Sequence, residues 1–267
     1  MSGKLKISVI TPSYNQGEFI GRTMESILGQ QGDFELEHIV IDGGSTDSTR
    51  EVLAEYQAND FERLKVVCEP DRGQSDAINK GMRLATGDIV CWINSDDLLL
   101  PGALERVSEE FASDEALHWL YGKVIIVDEH DREIRKFVTT YKNRRMRRFS
   151  FSRLLQENWL PQMGVFWRRE LGERIGPLRE ELHYSMDYDL WLRFAKEAPG
   201  HFVDQTLAGF RWHGSSKTSQ NFSAQMQESY QLARMHSDGK YSASLLLHRA
   251  LALRTKAVYK LLRLWGR

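Results

Sequence analysis

Cysteine is scarce in this chain, with two in 267 residues, and charge of neither sign prevails, with 36 Lys and Arg against 37 Asp and Glu. Cys68 and Cys91 each end an apolar run, so both are expected as buried free thiols of a reducing compartment, which leaves no disulfide frame and no thiolate zinc site. A formal net charge of -1 gives no global attraction to nucleic acid. No apolar run reaches the length that spans a bilayer, and the N-terminal "MSGKLKISVITPSYN" has an apolar core too short for a signal peptide. The expected location is the cytoplasm. The nucleotide signatures are missing as well. No Gly-x-Gly-x-x-Gly follows the first apolar run, no Gly-x-x-x-x-Gly-Lys-Ser/Thr occurs, and no nucleophile elbow is present. Nicotinamide dehydrogenases, P-loop ATPases and Ser/His/Asp hydrolases are thereby set aside.

What is present is regular alternation. "KISVI" (Lys6 to Ile10), "EHIVI" (Glu37 to Ile41), "LKVVC" (Leu64 to Cys68) and "DIVCWI" (Asp88 to Ile93) are short, β-branched and apolar. Between them lie segments of helical spacing, Phe19 to Leu28, Thr49 to Tyr56 and Ala77 to Ala85. Apolar strands separated by amphipathic helices predict an α/β fold with a mostly parallel central sheet, covered by helices on both faces. With 41% apolar residues the chain has material for an ample core.

After Pro101 the pattern loosens. A helix is expected from Leu104 to Phe111, then a hairpin from "HWLYGKVIIVD" and "EIRKFVTT", then a basic linker "KNRRMRRFS". "GVFWRR" reads as a strand, "SMDYDLWLRFAKEA" as a helix, "GHFVDQTLAGFRWH" as a strand running into a loop, and Ser219 to Arg267 as helical. Two parts are expected, residues 1–218 as the α/β domain and 219–267 as a helical extension. That extension is one-sided in charge: no acid follows Asp238, while Lys240, Arg249, Arg254, Lys256, Lys260, Arg263 and Arg267 accumulate. Val258, Leu261, Leu262 and Trp265 recur at helical spacing among those cations. Such a helix suits either an anionic membrane surface or a dock on protein, and both remain open.

Open α/β sheets bind ligands at the carboxyl ends of their strands. The first, second and fourth strands run into "TPSYNQG", "DGGSTDS" and "NSDD", so all three loops should face one crevice. That crevice offers oxygen from Asp42, Asp47, Asp96 and Asp97, with Asn94 and Ser45 beside them. Oxygen donors without thiolate favour a hard divalent cation, Mg²⁺ or Mn²⁺, completed by substrate phosphates. Each acid also has a plainer role. "STDST" is a helix-capping pattern, preferred for Asp47, and Asp42 could close the turn before Gly43 and Gly44.

Four stretches in register carry a resemblance: "ISVITPSYNQGEFIGRTMESILGQ", "IVIDGGSTDSTREVL", "EPDRGQSDAINKGMRLATGDIVCWINSDD" and "HYSMDYDLWLRFA". Over roughly residues 6 to 215 the chain resembles the family 2 glycosyltransferases, inverting, metal-dependent enzymes of the GT-A fold that use nucleotide-diphosphate sugars. The resemblance implies that Thr11, Pro12, Tyr14 and Asp42 hold the nucleobase and ribose, and that Asn79 faces the nucleotide-sugar. Asn94, Asp96 and Asp97 match the metal motif, with Asp96 as ligand and Asp97 beside it. Asp187 matches the catalytic base. Three positions depart from the family pattern: Asn94 replaces the first acid of the metal motif, Gly43 the second acid of "DDGS", and Ile78 an Arg.

Arg211 and His213 are candidates for neutralising the leaving diphosphate, His213 also as a metal ligand, and Gln162 for the acceptor side. Trp159, Trp167, Trp191 and Trp212 are candidate sugar platforms, with Trp191 better suited to the core. The implied partners are a nucleotide-diphosphate sugar and a glycan or lipid-linked acceptor of cell-surface polysaccharide assembly. Peripheral attachment to the inner face of the cell membrane would follow if the C-terminal helix binds lipid. Two other classes stay in view, a non-catalytic sugar-nucleotide or glycan-binding module and a sugar nucleotidyltransferase.

Overall fold

The computed structural model describes residues 4–213 and 222–264, without side chains for Phe222 and from residue 255 onward. Three parallel strands, β1 (Lys6–Ser13), β2 (Glu35–Asp42) and β3 (Leu64–Cys68), alternate with α1 (Ile20–Leu28), α2 (Thr49–Asn59) and α3 (Gln74–Leu84). β4 (Ile89–Trp92) returns beside β1, also parallel. The Ile and Val runs of β1, β2 and β4 are buried because helices cover both faces, while Val66 and Val67 on the edge strand β3 are half-buried. Cys91 lies in this core, whereas Cys68, expected to be buried, is exposed on the edge strand β3.

The chain then passes through β5 (Leu98–Leu99), α4 (Ala103–Ser113), β6 (Trp119–Val127), β7 (Glu133–Ile134), α5 (Lys136–Met146) and α6 (Phe151–Gln156). β8 (Val165–Arg168), α7 (Arg169–Ile175), α8 (Met186–Glu197) and β9 (His201–Arg211) complete one nine-stranded mixed sheet of order β3-β2-β1-β4-β8-β6-β9-β5, with β7 paired to β6. β8 runs antiparallel to both β4 and β6 and joins the parallel half to the rest.

One expected strand is a helix. Only Glu133 and Ile134 pair with β6; Arg135 then adopts φ 53, in the left-handed region, and "KFVTT" together with most of the expected basic linker forms α5. The β-branched Val138, Thr139 and Thr140 favour a strand locally, but α5 is docked on β6 instead: Asn143 bonds both the N–H and the C=O of Val124, and the Tyr121 hydroxyl donates to the carbonyl of Met146. Tertiary contacts override the local preference here.

The C-terminal segment forms two helices, α9 (Phe222–His236) and α10 (Ser242–Leu264). Leu232 and Ala233 of α9 join the main core, and His248 of α10 bonds the carbonyl of Leu155 in α6. The side chains of Val258, Leu261 and Leu262, and Trp265 altogether, lie outside the described residues. Among the described residues no helix is long and apolar enough to cross a membrane.

Candidate active site

The loops after β1, β2, β3 and β4 open onto one cleft of about 910 Å³, closed on its far side by α5, the segment 158–163 and the start of α8. Pro12, Ser13, Tyr14, Gly43, Asp71 and Gln74 line one end. Asn94 and Asp96 lie at its floor, and Asp187, Asn158 and Trp159 line the other end. The crevice expected from strand polarity is thus formed. Of the residues singled out in the sequence, Pro12, Tyr14, Asn94, Asp96, Gln162 and Asp187 face it.

Five others turn inward. Thr11 is buried, its hydroxyl 2.9 Å from His38 Nε2. Asp42 is fully buried and closes its own turn, accepting from the N–H groups of Gly44 and Ser45 and from the Ser45 hydroxyl. Gly44 has φ 91, which makes that tight turn accessible. Asn79 bonds the N–H and C=O of Leu178 from inside α3 and stays out of the cleft. Asp97 accepts from the Arg211 N–H and the Asn94 amide, and Arg211 itself donates to the Asp96 carbonyl and pairs with Asp131. For Asp42, Asn79, Asp97 and Arg211 the reason is shared: buried backbone groups need polar partners, and these side chains supply them, whereas Thr11 is held by a buried histidine side chain. Asp47 likewise caps α2 through the Thr49 N–H, as its pattern predicts.

Adjacent Asp96 and Asp97 therefore serve different ends. Burial, and next the charge of Asp96, push the Asp97 carboxyl well above the usual carboxylate range. Asp96 turns into the cleft with its Oδ2 3.0 Å from His213 Nε2. His213 stacks against Phe19 at 4.5 Å between ring centroids, and its ring does not itself line the cleft. Gln162 donates to the Trp92 carbonyl and accepts from Asn94, which in turn accepts from Gln74, so one amide chain crosses the cleft floor.

Asp187 occupies the first turn of α8, where its Oδ1 accepts the Tyr188 N–H, and Asn158 donates to Oδ2 at 3.4 Å. Burial raises its pKa to about 6 against the pull of those bonds, and the negative charge of Glu228 adds to the rise. Glu228, on α9, grips the turn before α8 by accepting the N–H groups of His183 and Tyr184 at 2.9 and 2.7 Å. Asp189, two residues on, is buried with Arg193 and His236; burial opposes its charge, but those partners outweigh it and hold the carboxyl below the usual range. It does not reach the cleft.

Several residues escaped the sequence reading. Asp71 lines the cleft from the loop after β3, and its carboxylate fills the space that a side chain at Gly43 would take. The missing second acid of the second loop is replaced in space by one from the third. The signal was present in Gly43 beside "EPDRG", but only the fold brings the two loops together. Asn158 and Glu228 lie outside the four stretches and Gln74 within the third, and the roles of all three come from long-range packing. Of the four tryptophans considered as sugar platforms, Trp159 and Trp212 line the cleft; Trp167 and Trp191 pack with Trp92 in the core.

The family model described as "Glycosyl transferase family 2" matches residues 8–169. A glycosyltransferase of PGL/p-HBAD biosynthesis from Mycobacterium bovis (strain BCG) is 31% identical over 188 residues, covering 70% of this chain and 68% of that protein. An uncharacterised glycosyltransferase from Nostoc sp. (strain PCC 7120) is 28% identical over 218 residues, 79% of this chain and 66% of its own length. The chain thus spans about two thirds of the length of these relatives. Among solved structures, S. aureus TarS in complex with UDP-GlcNAc has a TM-score of 0.69 at 19% identity, covering 90% of this chain and 69% of that one. A mannosyltransferase from Pyrobaculum calidifontis in complex with GDP-Man and Mn²⁺ has a TM-score of 0.69 at 21% identity, covering 96% and 76%. The fold is that of the GT-A glycosyltransferases, and the chain belongs to glycosyl transferase family 2.

Proposed function

We propose that the cleft transfers a sugar, with inversion, from a nucleoside diphosphate to a hydroxyl of a glycan or lipid-linked acceptor. One observation carries this reading: Asp96 and Asp187 line the same cleft, the first beside an imidazole and the second with its pKa raised to about 6. The nucleotide lies at the end formed by Pro12, Ser13, Tyr14, Gly43 and Asp71. Tyr14 is 59% exposed and offers its ring face to a base, and Asp71 takes the polar role expected of Asp42.

Asp187 accepts the proton of the acceptor hydroxyl as that oxygen bonds to the anomeric carbon. The bond from that carbon to the diphosphate breaks, and its electron pair leaves with the phosphate oxygen. Attack opposite the leaving group inverts the centre. A carboxylate poised near pH 6 is ionised at neutral pH, yet basic enough to take the proton. Asn158 aims it, and Asn94 and Gln162 border the space between donor and acceptor.

The residues fit a divalent cation. Among the described residues no group of three or more His, Cys, Asp or Glu side chains is arranged to hold a metal. Asp96 and His213 together offer one carboxylate and one imidazole, and Mg²⁺ or Mn²⁺ commonly takes few protein ligands and completes its shell with phosphate oxygens and water. Bound there, the ion would neutralise charge on the departing diphosphate. Asp97 contributes from behind, by fixing Asn94 and the Arg211 backbone.

We also read residues 219–267 as an extension of the catalytic domain and α10 as a contact to the inner face of the cell membrane. Leu246 and Leu253 are 67% and 69% exposed on a helix that carries no acid, which supports a lipid surface. The test of the reading as a whole is thermal stability in the presence of UDP, GDP, dTDP and CDP, each with and without Mn²⁺. One nucleotide at a hundred times its dissociation constant should add about 2.7 kcal/mol, and only with metal. No metal-dependent gain from any of them would favour the binding-module class.

A further inference from the structure

The cleft holds two cations that the mechanism above does not use. Helix α5 presents Arg135, Val138, Thr139, Lys142, Asn143 and Met146 to it, a spacing of three and four that makes one face of a helix. That face is fixed rigidly, since Asn143 is bonded to Val124 and the backbone of Met146 to Tyr121. Three cations on or beside this helix have carboxylates: Lys136 has Glu133, Arg145 has Glu157, and Arg147 has Asp204. Among the described residues no carboxylate lies within ion-pair distance of Arg135 or Lys142. Arg135 stacks over the Trp212 ring at 3.9 Å, which holds its guanidinium at the cleft wall. Lys142 is open to solvent at the cleft mouth, yet the surrounding walls withdraw enough water to lower its pKa, against the raising influence of Glu157.

Two cations fixed on the wall of one cleft, with no carboxylate of the described residues in reach, leave positive charge there for a bound ligand to match. The topology indicates which ligand. The loops proposed to hold the nucleotide follow β1, β2 and β3, at one edge of the sheet, whereas α5 packs on β6, beyond β4 and β8. Its far end, at Met146, lies near Trp159 and Asn158, which sit beside Asp187. Lys142, one turn before Met146, therefore stands on the side from which the acceptor must approach the base, and Arg135, at the other end of the same helix face, continues the cationic wall toward Trp212.

We propose that the acceptor carries an anionic group, a phosphate or a carboxylate, and that Lys142 and Arg135 form the subsite that binds it while its hydroxyl meets Asp187. This rests on the reading of the cleft as a transferase site. A compact ammonium and a planar guanidinium suit a phosphate or carboxylate equally, and a neutral glycan would leave both unpaired.

The test uses the fluorescence of the cleft tryptophans to measure binding of matched probes. Methyl β-glucuronide is compared with methyl β-glucoside, and glycerol 3-phosphate with glycerol, each with the best nucleoside diphosphate of the panel and Mn²⁺ already bound. In the unmodified protein at least one anion should bind about tenfold more tightly than its neutral partner, the factor that one partly desolvated charge pair supplies. Which pair shows the gap tells carboxylate from phosphate. The gap should close in Lys142→Gln combined with Arg135→Gln and persist in Lys142→Arg, while nucleotide affinity stays within about twofold. Equal binding of the charged and neutral probes would overturn the proposal. So would a double variant that loses nucleotide affinity but keeps the gap, because the cations would then serve the donor diphosphate. Failure of every nucleotide to bind would instead strike the transferase reading itself.

Discussion

At the end of the cleft proposed for the nucleotide, the acid that motif position singles out, Asp42, is buried and saturated by its own turn. At the end proposed for the acceptor, Asp187 faces the cleft with a raised pKa, and Lys142 with a lowered one. The first end is made by loops that follow parallel strands, so its backbone is preorganised and its polar side chains hold that backbone. The second end is made by helices α5, α8 and α9, whose ends come together over long sequence separations. The contrast separates residues that build the site from those proposed to react in it. Asp97 and Asp96, one after the other, show the same division on the smallest scale.

The largest effect expected from this comparison is at Asp187. Asp187→Asn should lower the transfer rate about 10²- to 10⁴-fold, with nucleotide affinity unchanged. A loss of nucleotide binding would blur the two ends. The same change should stabilise the fold. The folded protein holds the Asp187 proton up to about pH 6, while the ordinary value is 3.8. The folded state binds more protons in that interval, so this group's contribution to stability is full below it and is lost as pH rises through about 6. At neutral pH the Asn variant should therefore gain about 1 to 3 kcal/mol, as read by urea unfolding.

Next comes the pair on the cleft floor. Asp97→Ala removes the acceptor for the Arg211 N–H and the Asn94 amide, and should cost about 2 to 3 kcal/mol in the absence of ligand. Asp96→Ala should cost far less stability and abolish the metal-dependent gain from nucleotide. If the two variants behaved alike, the division between builder and reactor would fail. Asn79→Ala should resemble Asp97→Ala at about 2 kcal/mol, because it orphans both groups of Leu178, and it should leave the donor KM alone.

The smallest expected effect is at Glu228. In Glu228→Gln the one carbonyl oxygen keeps one of the two N–H groups of the turn before α8, the other loses its acceptor, and the charge that helps raise Asp187 is gone. The acid limb of the rate profile should move to lower pH by a fraction of a unit, with most of the maximal rate retained. Glu228→Ala should lower the maximal rate as well, since it frees the turn.

Much of this was legible from the residues. The β1 to β4 alternation, the single crevice and the roles open to Asp96 and Asp187 follow from strand polarity, helix spacing and the family resemblance. The direction in which a side chain leaves the end of a strand does not, because cleft and interior are a single rotation apart. Thr11, Asp42 and Asp97 therefore matched a motif yet turned inward, Asp42 and Asp97 to satisfy backbone groups and Thr11 to meet His38. Helix α5 was read as strand and linker because its cleft face is mixed, with no apolar stripe to reveal it. Asp71 was missed because its relation to Gly43 exists only after two loops meet.

The most direct test is the pH dependence of nucleoside diphosphate release from the nucleotide-sugar that the protein binds, measured in parallel for the unmodified chain and Asp187→Asn. The account predicts a rate that climbs with pH through a midpoint near 6 in the first and a flat, far lower rate in the second, at equal donor affinity. The same climb in both proteins would contradict it, because the base would then be another group.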